Sequence, residues 1–117
     1  MPERDVSWPG ERRALVAILR GIRPSEVAAM TEMLIDEGIT SIEVPLNSPE
    51  PFQSIETALA IAEDRALVGA GTVLAVEDVE RLYDIGGRLV VSPNTDPEVI
   101  RRSVALGMIS MPGVFTP

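Results

Sequence analysis

The stretch "TSIEVPLNSP", residues 40–49, runs apolar and β-branched around a single carboxylate, Glu43, and then breaks into turn residues. A short continuous run of this kind is how a strand reads when both of its faces are covered, as in a parallel sheet under helices. Four runs of similar length flank it: "ALVAI" from Ala14, "ALVGA" from Ala66, "RLVVS" from Arg88 and "MISM" from Met108.

Helical punctuation fills the gaps between these runs. "RPSEVAAMTEMLIDEG" places Val27, Met30 and Leu34 on one face and stops at Gly38. "NSPEPFQSIETALAIAED" offers Ser48 as N-cap and Pro49 as first helical residue, with Phe52, Ile55, Leu59 and Ala62 as the apolar stripe. "AVEDVERLYDIGG" aligns Val76, Val79 and Leu82 before Gly86. "NTDPEVIRRSVALG" opens with Asp96-Pro97 or a Thr95-to-Glu98 capping box, is expected to bury Ile100 and Val104, and ends at Gly107. The order β-α-β-α-β-α-β-α-β predicts an α/β fold of five parallel strands and four helices with right-handed crossovers. It suits either an open doubly wound sheet or part of an eight-stranded barrel. Residues 1–13 read as an N-terminal arm, on which Trp8 is expected to be a packing or interface residue rather than a ligand contact.

Composition removes several kinds of chemistry. The 117 residues contain no cysteine, histidine or lysine, so all ten positive side chains are arginine. That excludes thiolate nucleophiles and the usual metal ligands, and it leaves no side-chain amine for a Schiff base. No metal or organic cofactor is expected. A net charge of −8 disfavours nucleic acid and anionic membranes as partners. No run approaches the ~18 apolar residues of a membrane span, and the charged start "MPERDVSWPGERR" is no secretory signal. A cytoplasmic protein is the expectation.

The polar residues fall at the C-terminal ends of the expected strands: Arg20 and Gly21, Glu43 to Asn47, Gly69 to Thr72, Ser92 to Asn94, and Pro112 with Gly113. That edge carries the active site in both candidate architectures, although strand-to-helix turns also favour Gly, Pro, Ser and Asn for their own geometry. Glu43 is harder to assign to a turn. A carboxylate inside a buried strand is costly unless paired or neutralised. It is either half of a structural pair with Arg20 or a general acid–base group held in apolar walls. "GAGTVL" lacks the third glycine of a dinucleotide fingerprint, having Leu74 there. Thr72 instead suits a hydrogen bond to a small anion, and Arg101 with Arg102 reads as a solvated helix face.

Taken together, "AILRGI", "GITSIEVPLNSPEPFQSIE", "ALVGAGTVL", "LVVSPNTDPEVIRRSVALGM" and "MPG" resemble the 2-keto-3-deoxy-6-phosphogluconate/galactonate aldolases over nearly the whole chain. The "EVPLNSP" form is similar to the phosphogalactonate branch, since the phosphogluconate branch typically has arginine where this chain has Asn47. The resemblance implies a (β/α)8 barrel, a trimer and class I aldolase chemistry. A lysine forms a Schiff base with the keto acid, a glutamate shuttles protons through water, and cleavage releases pyruvate and glyceraldehyde 3-phosphate. It implies that Glu43 is that glutamate, that Arg20 and Thr72 bind substrate and that Pro93 lines the pocket; Asn47 is counted with the substrate-binding residues, without the carboxylate contact that arginine makes in the phosphogluconate branch.

The family's lysine lies on a sixth strand, and its phosphate-binding glycines follow the seventh and eighth. Neither is present here. The chain therefore reads as the N-terminal part of a barrel, residues 14–117, ending after the fifth strand and inactive by itself. The alternative is a non-catalytic half-barrel binding or assembly module with a weak anion pocket.

Overall fold

The computed structural model describes residues 14–116, so the expected arm with Trp8 lies outside the described residues. Nine elements alternate along the chain: β1 (Ala17–Ile18), α1 (Pro24–Asp36), β2 (Ser41–Pro45), α2 (Pro51–Ala62), β3 (Leu67–Gly71), α3 (Val76–Asp84), β4 (Leu89–Ser92), α4 (Pro97–Ala105) and β5 (Ile109–Pro112). All strand pairs are parallel, and the spatial order is β1-β2-β3-β4-β5.

That order decides between the two architectures. A doubly wound sheet reverses its strand order at a switch point and carries helices on both faces. Here the order never reverses. A single apolar cluster joins Val27 of α1, Phe52 and Ile55 of α2, Val79 and Leu82 of α3 and Val99 of α4 to Val44, Val68, Ala70 and Val90 of the strands. All four helices thus pack on one face, and the fold is the N-terminal part of a (β/α)8 barrel. Burying each of these aliphatic side chains contributes roughly 1.5–3 kcal/mol.

Successive strand residues point to opposite faces. Val44, Val68, Ala70 and Val90 face the helices, which turns Glu43 to the opposite face. Paired residues of a parallel ladder share a face, so one row there runs Ile18, Glu43, Gly69, Leu89, Ile109. β2 and β3 are buried throughout, as their apolar runs predict. The outer strands are not: β5 is half-buried along its length and Ile18 of β1 is 58% exposed. The run from Ala14 yields only two paired residues, Ala17 with Ile42 and Ile18 with Glu43.

Two local expectations fail. Helix α2 begins at Pro51, with Glu50 as N-cap in a left-handed conformation, so Ser48 caps nothing and Pro49 precedes the helix. Helix α4 buries Val99 and Ser103, while Ile100 is only half-buried and Val104 is 60% exposed. The start itself is as expected from Asp96-Pro97: the Asp96 side chain accepts the Glu98 N–H at 3.0 Å and caps the helix. Ser103 tolerates burial because its hydroxyl donates to the Val99 carbonyl one turn back, at 2.7 Å.

Candidate active site

The edge where the strands give way to loops gathers most of the residues singled out from sequence. Glu43 is only 3% exposed, and its Oε2 has no hydrogen-bond partner. Burial pushes its carboxyl above the usual carboxylate range, and the positive charge of Arg20 pulls part of the way back. The ion pairs among the described residues are Arg23–Glu26, Arg65–Glu32 and Arg102–Glu80, and none involves Glu43. A direct structural pair with Arg20 is therefore not what holds this carboxylate. The Arg20 guanidinium instead donates to Asn47 Oδ1 at 3.3 Å, leaving its charge to act on Glu43 through space.

Strand β3 makes room for the carboxyl. A Cβ added to Gly71 would overlap the Glu43 carboxyl group, and one added to Gly69 would overlap the Leu89 backbone. Neither glycine has a positive φ. They are required for space rather than for a turn, which corrects the turn-residue reading at these two positions.

Thr72 follows Gly71 directly and does hold a left-handed backbone, at φ +54°. That conformation is rare for a β-branched residue and costs on the order of 1–3 kcal/mol. The hydrogen bond from the Val73 N–H to the Val91 carbonyl, 3.1 Å, helps to hold it. Pro93 stands at the end of β4, two strands from Glu43, with its carbonyl against Gly113. There the Gly113 N–H donates to the Ser92 carbonyl, and the Thr95 hydroxyl donates to the Gly113 carbonyl.

Arg20 is linked to Asn47 by a hydrogen bond and to Glu43 by charge, and Gly71, which precedes Thr72, lies against the Glu43 carboxyl. Pro93 lies further along the same edge. A buried carboxyl with a free oxygen beside a guanidinium can exchange a proton and hold an anionic substrate. Among the described residues, no group of three or more acidic, histidine or cysteine side chains could hold a metal ion.

A family model described as KDPG and KHG aldolase matches residues 11–117. The chain belongs to the KDPG and KHG aldolase family. This aldolase-family chain is 57% identical over 112 residues to a "Probable 2-dehydro-3-deoxy-6-phosphogalactonate aldolase" of Rhizobium meliloti (strain 1021), covering 96% of this chain and 53% of that protein. It is 49% identical over 102 residues to the 2-dehydro-3-deoxy-6-phosphogalactonate aldolase of Escherichia coli (strain K12), covering 87% and 50%. A solved structure described as native KDPGal superposes with a TM-score of 0.89 at 46% identity, over 95% of this chain and 53% of that one. The chain spans about half the length of the curated relatives it matches.

Sequence reasoning missed two residues of this region. Gly71 was legible only as one of two glycines in "GAG", with nothing to say that a carboxylate lies opposite. Ser48 was assigned to a helix cap, whereas its Oγ accepts the Gly21 N–H at 3.0 Å.

Proposed function

We propose that the chain supplies the acid–base half of a class I aldolase site that cleaves 2-dehydro-3-deoxy-6-phosphogalactonate to pyruvate and D-glyceraldehyde 3-phosphate. The observation that carries this reading is Glu43: a buried carboxyl with an unpartnered oxygen, midway along β2 on the face turned away from the helices, below the strand ends where barrels bind substrate. Its raised pKa moves it toward the working pH, where an acid–base group is most effective. Acting through water, Glu43 takes up a proton as the carbon–carbon bond breaks and returns one to the enamine carbon. Arg20 and Thr72 bind the anionic end of the keto acid, while Asn47 and Pro93 line the pocket. The names of the two relatives and the neutral Asn47 beside Arg20 favour the galactonate form.

The imine itself needs an amine that no side chain here provides, since the chain has no lysine. The 117 residues alone are therefore inactive in this reading, and the Schiff-base lysine belongs to the part of the barrel that the longer relatives carry. The complete enzyme is a cytoplasmic trimer.

Borohydride trapping with pyruvate tests the reading. No adduct is expected on the 117-residue chain. A chimera joining residues 1–117 to the C-terminal half of the Escherichia coli relative is expected to trap pyruvate and to cleave the phosphogalactonate. A folded chimera that traps nothing would overturn the assignment.

A further inference from the structure

Ser48 is one of the few polar side chains buried in this fold, at 5% exposure, and no helix uses it. Its hydroxyl accepts the N–H of Gly21, which takes φ +79° at the turn between β1 and α1. The residue before Gly21 is Arg20, and the residue before Ser48 is Asn47. The two cross-loop bonds, Arg20 to Asn47 and Gly21 to Ser48, therefore run side by side, each linking residues 27 apart.

The two bonds do not carry equal weight. The Arg20–Asn47 bond is exposed, long at 3.3 Å, and joins two side chains that water can compete for. The Gly21–Ser48 bond is shorter at 3.0 Å, partly buried and anchored on the backbone. Strand β1 offers only two paired residues; beyond them the Leu19 N–H donates to the Glu43 carbonyl and the Ile22 N–H to the Leu19 carbonyl, and Ser48 adds a side-chain hold on Gly21, the residue next to Arg20.

We infer that Ser48 is a positioning residue: by holding the Gly21 N–H it sets where Arg20 stands relative to Glu43 and to the anion that the site takes. This deepens the aldolase reading, yet its test does not need aldolase activity.

Arg20 is the charge that acts on the buried Glu43 carboxyl, so the titration of Glu43 reports where Arg20 stands. The titration is followed by carbon-13 NMR in the 117-residue chain, on the resonance that disappears in Glu43→Gln. Ser48→Ala is expected to move the midpoint further upward, because the guanidinium is no longer held close. Ser48→Thr, which keeps the acceptor, is expected to titrate like the parent. In an Arg20→Gln background, Ser48→Ala is expected to add nothing. An unchanged midpoint in Ser48→Ala overturns the inference, as does a shift that persists without Arg20. If Ser48→Ala does not fold, amide exchange at Gly21 in the parent chain decides. Slow exchange is expected, and exchange at the rate of an unbonded loop amide overturns it. Failure of pyruvate trapping with the expected titrations would remove the aldolase reading and leave the role of Ser48 standing.

Discussion

Glu43 of β2 reaches past its ladder partner Gly69 to Gly71 of β3, so closely that the carboxyl group fills the space a Cβ on Gly71 would need. The absence of a side chain at one residue is thus part of the environment of the other. Gly71→Ala forces either the carboxyl or the strand to move, and overpacking of this kind costs ~1–3 kcal/mol. The urea midpoint of Gly71→Ala is expected to fall, and Glu43→Ala in the same chain is expected to restore much of the loss. A Gly71→Ala chain as stable as the parent would show that the carboxyl can leave without cost.

The raised pKa of Glu43 makes stability depend on pH in a defined direction. The folded chain holds the proton more tightly than the unfolded chain, whose glutamate titrates near its ordinary value of 4.5. The stability from protonated Glu43 is therefore full below that value and is lost as pH rises through the folded pKa. Glu43→Gln stays neutral throughout. Its advantage in urea midpoint over the parent is expected to grow as pH rises above 4.5, and the same change is expected to slow cleavage strongly in the chimera. A gap that does not vary with pH would mean that Glu43 is not held in a proton-favouring site.

Thr72 stores strain at the end of β3. Thr72→Gly removes the penalty of a left-handed β-branched residue, which offsets the ~0.5–1 kcal/mol that glycine loses through chain entropy. Thermal melts are expected to find Thr72→Gly at least as stable as the parent. Pyruvate binding by the chimera is expected to weaken, because the hydroxyl is gone. A marked loss of stability would make Thr72 an ordinary packing residue.

Each outer strand has one neighbour among the described strands, and apolar side chains lie beside both: Leu15 and Ile18 at β1, Val114 and Phe115 beyond β5. Unpaired edges of this kind template association. Sedimentation of the 117-residue chain is expected to show concentration-dependent self-association, strengthened by salt that screens the net charge of −8. A monodisperse monomer at all concentrations would count against it.

The repeating βα order, the parallel strands and most helix faces were legible in the sequence, because burial on one or both sides writes a periodicity that local reading recovers. Glu43 was legible for the same reason: a carboxylate interrupting a buried run stands out without any knowledge of its neighbours. The faces of α4 and the start of α2 were not. The face that α4 buries, Val99 and Ser103, is decided by what the helix packs against, and Ser48 hydrogen-bonds a turn 27 residues away instead of capping a helix.

By itself, the sequence determined that the chain is an α/β repeat with a buried acid and no side-chain amine to partner a carbonyl. Only the tertiary structure decided that the sheet runs in unbroken order with all helices on one face, and that Arg20 reaches Glu43 by charge rather than by contact. It also decided that Gly69 and Gly71 are glycines for space. These are relations between strands, set by which loop packs beside which, and no local pattern of residue types encodes them.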